Sequence, residues 1–479
     1  MKLLKIVTFC FLVTGGSLAL ASPETRETSQ TDEKEPLKLP SFHNTRYEED
    51  WSLLRGTSPG SSTAGPLKFI PLNQSGSVYL SLGGQGRTRF EGWNDFGFGG
   101  SGSRSDGFGL LRLRVHGDLV LGPYFRVFVE GKSALSTNRD LPGGLRTLDV
   151  DNADLQNVFV DLRIPFEKGS ATLRFGRQEL QFGRQRLISP LNWSNTRPRM
   201  FDGFRGSLKL GGWRLDGFHT KFVRVRKYAF NRNNSGTEFS GLYLTGRPGN
   251  KLAADVYWIH LDRERSVWNG VSGQEDRHTV GTRLGGALAE TGLTFDVEGA
   301  FQFGDHGTRD IQAFMFASEL GYSFTQAPGV PRVQLGFDWA SGDEDSSDGE
   351  ANTFNQLFPL GHAFLGFIDI VGRQNIMDLS GRFSISPRRP FTVRLDGHFF
   401  WRADPNDALY NAGGGVVLPG NPLLSRRVGS EVDFTFQYPI NRHVVFTSGY
   451  SHFFPGAFVE ESKSAKGIDF GYVMVQYTF

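Results

Sequence analysis

The feature that most narrows what this chain can fold into is the parity of its connections. From residue 77 to the end, short stretches with period-2 alternation follow one another without a convincing helix. Eighteen strands are predicted: 77–92, 108–121, 124–134, 154–164, 170–179, 204–211, 213–222, 237–246, 251–261, 277–288, 292–303, 311–323, 332–341, 374–385, 391–401, 430–438, 443–453 and 467–479. Taken alternately, one set of connections is short (122–123, 165–169, 211–212, 247–250, 289–291, 325–331, 386–390, 439–442). The other set is mostly long (93–107, 135–153, 180–203, 223–236, 262–276, 342–373, 402–429, 454–466), with 304–310 the exception. A soluble sandwich has no reason to sort its loops by parity. An even number of antiparallel strands with short turns at one end and long loops at the other is how bacterial outer-membrane barrels are built. The predicted fold is therefore all-β: an antiparallel, 18-stranded transmembrane barrel with short periplasmic turns, long extracellular loops and both termini in the periplasm.

The faces of the strands agree. In 108–121, Leu111, Leu113, Val115, Leu119 and Leu121 oppose Arg112, Arg114, His116 and Asp118. In 391–401, Phe391, Val393, Leu395, Phe399 and Trp401 oppose Thr392, Arg394, Asp396 and His398. Burying such polar faces in a soluble core is costly, whereas lining a wet lumen is not. Strand 251–261 alternates poorly, and its facing stays open. The last stretch sets Gly471, Val473, Val475, Tyr477 and Phe479 against Tyr472, Met474, Gln476 and Thr478. A strand at the chain end frays unless it is tied down, and pairing with the first strand would close the barrel and remove both edges. Its terminal Phe also resembles the assembly signal of outer-membrane barrels.

Composition fits a barrel better than a soluble protein. Gly at 61, Phe at 43 and 13% aromatic residues suit short strands, tight turns and interfacial girdles. Mean hydropathy is −0.32, and beyond the N-terminus no stretch approaches the roughly 18 apolar residues of a spanning helix. Residues 1–21, with Lys2 and Lys5, an apolar run and Ala19-Leu20-Ala21, read as a secretory signal peptide cut after Ala21. Cys10 lies within that run, so the mature chain is exported yet holds no disulfide. Residues 22–76 read as a periplasmic lead-in. Its first part, 22–44, is polar and flexible, and its Arg46–Trp51 and Pro66–Leu72 segments pack against or into the barrel mouth. The barrel then occupies 77–479. Formal charge is +2, and it falls to zero without Lys2 and Lys5, so nothing points to nucleic acid. Of the 52 basic residues 39 are Arg, a bias toward planar recognition of carboxylate or phosphate.

The most distinctive connection runs from the fifth strand end to the sixth strand. It carries Arg177, Arg184, Arg186, Arg197 and Arg199, an Asn192-Trp193-Ser194-Asn195 core and a Phe201-Asp202-Gly203 exit. Loops beyond about 12–15 residues are uncommon unless functional or disordered, and Trp, Phe and Leu argue against a solvated tail. Two readings follow: a loop folded in to stabilise the wall, or a constriction offering its arginines to passing anions. Arg112, Arg114, Arg126, Arg174, Arg205 and Arg394 would extend a positive track along the wall. Asp118, Glu130, Glu179, Asp202 and Asp396 would hold those guanidiniums in place. The alternative is an internal salt-bridge network that only stabilises the barrel.

The G-R-Q-x-L-x-x-G-x-x-R-L run at 176–187, the W-x-N at 193–195, the F-D-G at 201–203 and the upstream R-Y-E-E-D-W and P-L-K-F-I-P-L segments together resemble the alginate export family. The resemblance covers essentially the whole mature chain. It implies a monomeric outer-membrane barrel of eighteen strands whose Arg-rich lumen passes anionic polysaccharide. The implied partners are outer-membrane lipid and lipopolysaccharide, an acidic polysaccharide or its uronate oligomers, and periplasmic export components. No cofactor is implied.

Rival readings are a porin for smaller anions and a barrel-anchored hydrolase. His116, His219, His260 and His398 are scattered over different strands, and no nucleophile with a placed base, P-loop or dinucleotide fingerprint appears. The acidic run with Asp343, Asp345 and Asp348 superficially resembles a calcium loop, but its Gly comes one position late and no helices flank it. It reads as a solvated tip that could share divalent cations with lipopolysaccharide phosphates.

Overall fold

The computed structural model describes residues 39–56, 66–99, 105–233, 236–249, 251–268, 270–288, 290–388, 390–462 and 466–479. The expected signal peptide and residues 22–38 of the lead-in lie outside them.

Eighteen strands form the wall. They are β1 (Val78–Asn94), β2 (Asp106–Leu121), β3 (Phe125–Ser136), β4 (Asp151–Phe166), β5 (Gly169–Gln178) and β6 (Met200–Leu210). They continue as β7 (Trp213–Val223), β8 (Thr237–Gly246), β9 (Leu252–Trp268), β10 (Val271–Ala287), β11 (Leu293–His306) and β12 (Arg309–Ser323). The last are β13 (Arg332–Ala340), β14 (Ile376–Ile385), β15 (Thr392–Trp401), β16 (Arg427–Pro439), β17 (Val444–Pro455) and β18 (Ile468–Thr478). Each pairs antiparallel with its neighbour in sequence, and β18 returns to β1 from Gln85↔Thr478 to Asn94↔Asp469. Gly84 and Phe479 exchange two backbone hydrogen bonds of 3.0 Å at the seam. The barrel is closed, and the chain end is paired rather than frayed.

Alternation places the faces as expected. Leu113, Val115, Phe175, Leu335, Val473 and Tyr477 point outward and are about half exposed, an apolar belt that makes sense only against lipid. Arg112, Arg114, His116 and Asp118 point inward and are buried. Strand β9 alternates poorly because its inward residues include Ile259 and Leu261, which meet an apolar cluster inside the lumen rather than water.

One expected long loop is strand. Residues 262–268 continue β9 and 271–276 begin β10, and the two pair as far as Trp268↔Val271 with a bulge between Arg263 and Ser266. Their charges suggest a loop because Asp262, Arg263, Glu264 and Arg265 break the apolar alternation that marks the strands elsewhere. The β11–β12 connection is likewise tight. All other connections at that end are long, and all those at the opposite end are short. The one α-helix among the described residues is Ala457–Ser462, within a long loop.

The lead-in enters the lumen from the short-turn end. Arg46 donates to the carbonyls of Gly84 (2.9 Å) and Phe479 (2.8 Å) while pairing with Glu49, so it latches the closing seam. Tyr47 packs edge-on to Phe128 and Phe159 and donates to the Glu179 carbonyl at 2.8 Å. Lys68 lies over the rings of Trp51 and Phe42. A Cβ at Gly83 would meet its Nζ and the His116 ring, so glycine leaves room for both side chains in their present places. Ile70–Pro71 then adds a short strand to β1.

Candidate functional site: the lumen and its folded-in loop

Residues 180–199 fold into the barrel and reach both sides of it. Leu180, Phe182, Leu187 and Ile188 are buried in the main apolar cluster with Phe218, Tyr243, Tyr257 and Ile259 of the wall. Gln185, Leu191 and Arg197 take left-handed backbone conformations (φ 67°, 57° and 46°), which persist only where the surroundings over-determine them. The surroundings are dense. Arg87 donates to the carbonyls of Asn192 (2.8 Å), Trp193 and Ser194 (3.0 Å each), and Arg112 to those of Asn192 and Ser194. Arg89 donates to the Trp193 carbonyl at 2.7 Å and lies 4.2 Å from the centre of its ring. Lys132 holds the Thr196 carbonyl at 2.9 Å. The Asn195 amide donates to the carbonyls of Leu111, Leu135 and Asp149, which accounts for Asn in the W-x-N element.

The expected pore arginines divide by partner. Arg197 is buried in a two-pronged pair with Glu179 (2.6 and 2.7 Å), and Glu179 also accepts from Gln156. Arg186 is buried among Asp296 (2.5 Å), Glu298 (3.1 Å) and Glu319 (3.4 Å). On the wall, Arg114 pairs with Glu130, Arg126 with Asp118 and Arg174 with Asp161. Arg205 pairs with Asp216 and Arg394 with Asp396. Asp118, Glu130, Glu179 and Asp396 thus hold guanidiniums in place. Asp161, Asp216, Asp296, Glu298 and Glu319 do the same, whereas the unanticipated Arg87 and Arg89 use their own guanidiniums to hold the loop carbonyls.

Arg177 and Asp202 face the other way. They are register partners on the outward face shared with Phe175 and Phe204, joined at 2.8 Å. The spacing Leu173, Phe175, Arg177 already implies this, because residues two apart share a face.

Two loop arginines border cavities. Arg184, about two-fifths exposed, reaches Glu319 at 2.9 Å. It lines a cavity of about 340 Å³ at the short-turn end with Arg247, Lys251, Arg283, Arg332, Asp296 and Glu319. Arg199 is buried, donates to the Pro359 carbonyl and has no ion pair among the described residues. It lines a second cavity of about 380 Å³, at the long-loop end, with Arg224, Arg263 and Arg265. Among the described residues no carboxylate lines this second cavity, although Glu275 approaches Arg263 at 3.5 Å. Between the cavities the folded-in loop pairs with residues of the 341–375 loop. Phe358 donates to Leu187, Ser189 to Phe358 and Leu360 to Gln185, as a short parallel bridge across the lumen.

The acidic run does not converge. Asp345 and Asp348 cap turn backbone at Ser347 and Glu350, while Asp343 is buried beside Asp407. The three form no joint ligand set among the described residues.

The comparisons agree with this architecture. OccK8 (OprE) of Pseudomonas aeruginosa is similar over 84% of this chain and 98% of its own, at 13% identity and a TM-score of 0.55. OccK11 (OpdR) of the same organism is similar over 84% and 96%, at 14% identity and 0.53. OccAB1 of Acinetobacter baumannii is similar over 84% and 96%, at 12% identity and 0.55. At these identities the likeness is one of fold. No curated protein matches the chain in sequence. The sequence profile of alginate export matches residues 78–472, from the first strand to the last. This outer-membrane channel belongs to the alginate export family.

Proposed function

We propose that the channel is passive and anion-preferring, and that it carries an acidic polysaccharide or its uronate oligomers past two basic cavities separated by the loop bridge. The observation that carries this reading is the outer cavity. Its four arginines, Arg199, Arg224, Arg263 and Arg265, face a space that no carboxylate lines among the described residues. Guanidinium groups offer paired donors that match a carboxylate, so each can replace part of the water around a uronate. The inner cavity repeats the chemistry at lower net charge, because Asp296 and Glu319 share its wall. Successive sites of modest strength let an anion enter and leave again. In this reading the long loops face the outside, the termini lie in the periplasm, and the barrel acts as a monomer within lipopolysaccharide and lipid. Export components would meet it at the short-turn end. The bridged lumen also suits a porin for smaller anions, and polymer length separates the two.

The test is channel block in planar bilayers by uronate oligomers of increasing length. Block that strengthens with each added residue supports a polysaccharide path. Chloride current indifferent to oligomers of every length contradicts it.

A further inference from the structure

Outside the lumen, the described residues bring together one group of metal-ligating side chains. His260 of β9 and His278 of β10 are register partners on the outward face, with rings stacked at 4.5 Å. Both present Nε2 to the same oxygen, Asp276 Oδ1, at 3.0 Å from His260 and 3.5 Å from His278. These separations are close to the edge of a tetrahedron around an ion with ligands at about 2.0–2.1 Å, roughly 3.4 Å. Asp276 has Asp262 as register partner on one neighbouring strand and Asp305 on the other. Among the described residues none of these three carboxylates has a Lys or Arg ion pair, and like charges opposite one another across strands destabilise a sheet. A cation relieves that repulsion. Trp258 and Phe303 stack on the His278 ring and supply an apolar flank. All three ligand side chains are part-exposed, at 27%, 29% and 48%, so a further coordination position opens outward.

We propose that His260, His278 and Asp276 form a site for one zinc-class divalent ion on the outer wall. Two imidazoles with one carboxylate select borderline ions over calcium or magnesium, which prefer all-oxygen ligands. Water completes the coordination. The ion ties β9 to β10 just below the bulge between Arg263 and Ser266, at the base of the hairpin whose Arg263 and Arg265 line the outer cavity.

The experiment uses tag-free, detergent-folded protein titrated with Zn²⁺ by calorimetry, with Mg²⁺ and Ca²⁺ as separate arms. One equivalent of Zn²⁺ binds the wild type. His260→Gln and His278→Gln each weaken it at least about tenfold, and the alkaline-earth ions give no comparable stoichiometric binding. Zinc bound at wild-type affinity by the double variant overturns the proposal, as does a preference for calcium. Visible absorption of the Co²⁺-loaded wild type is independent of whether any variant folds. A four- or five-coordinate spectrum is expected, and the spectrum of the free hydrated ion overturns the site.

Discussion

The two sides of the lumen use the same residue type for opposite ends. Along β1–β5, Arg87, Arg89 and Arg112 grip carbonyls of the folded-in loop, while Arg114, Arg126 and Arg174 grip carboxylates. Along β7–β13, Arg224, Arg263, Arg265 and Arg332 line open cavities, and so does Arg283, although Asp255 and Asp296 also hold it. The contrast recurs within the loop itself, where Arg186 and Arg197 are buried in ion pairs, Arg184 stays part-exposed beside Glu319, and Arg199 has no ion pair among the described residues. Guanidinium density alone therefore does not mark an anion path. The number of carboxylates and carbonyls within reach decides whether an arginine is a clamp or a contact.

The largest effect should come from breaking a clamp. Arg197→Ala removes the close partner of buried Glu179, leaving it only Gln156 and the more distant Arg114 at 4.0 Å, which costs about 3 kcal/mol, the low end for a broken buried pair. Equilibrium unfolding of the detergent-folded barrel should show that loss, and Arg197→Met with Glu179→Leu should recover most of it. Asn195→Ala comes next. It strips partners from three wall and loop carbonyls at a cost of about 1–3 kcal/mol, and noisy, larger single-channel conductance should accompany release of the loop. Arg184→Ala, at a part-exposed position, should change stability by no more than about 0.5 kcal/mol. Its effect should appear instead as weaker uronate block.

The smallest expected effect is one of pH at the lead-in. Burial and the nearby Arg46 hold the Lys68 ammonium down to about 8, against an ordinary lysine near 10.5. The native state therefore binds fewer protons than the unfolded one between those values, and stability rises with pH across that window. Unfolding midpoints should climb between pH 8 and 10 in the wild type, and that slope should be lost in Lys68→Met.

The barrel was legible in the sequence because each wall strand meets two unlike media, so period 2 survives in residue type. It failed for 262–276, where charged residues interrupt the alternation, and for the inward Ile259 and Leu261, which meet an apolar cluster rather than water. The inward fold of 180–199 was legible from Phe182, Leu187 and Trp193 in a segment too long to be a plain turn. Partners were not. Arg87 and Arg89 look no different in sequence from Arg112, and what separates Arg186 from Arg184 is the place of Asp296 and Glu298 on a strand more than a hundred residues away. His260 looked isolated because its partner His278 becomes adjacent only through the register of β9 and β10.

In the proposed reading, selectivity resides in the arginines that face the cavities. Its most direct test is the reversal potential under a salt gradient for three proteins: wild type, Arg199→Gln with Arg224→Gln, and the clamp control Arg126→Gln with Asp118→Asn. Anion preference is expected in the wild type and in the clamp control, with a marked fall in the cavity variant. Equal selectivity in all three, or a fall confined to the clamp control, would contradict it.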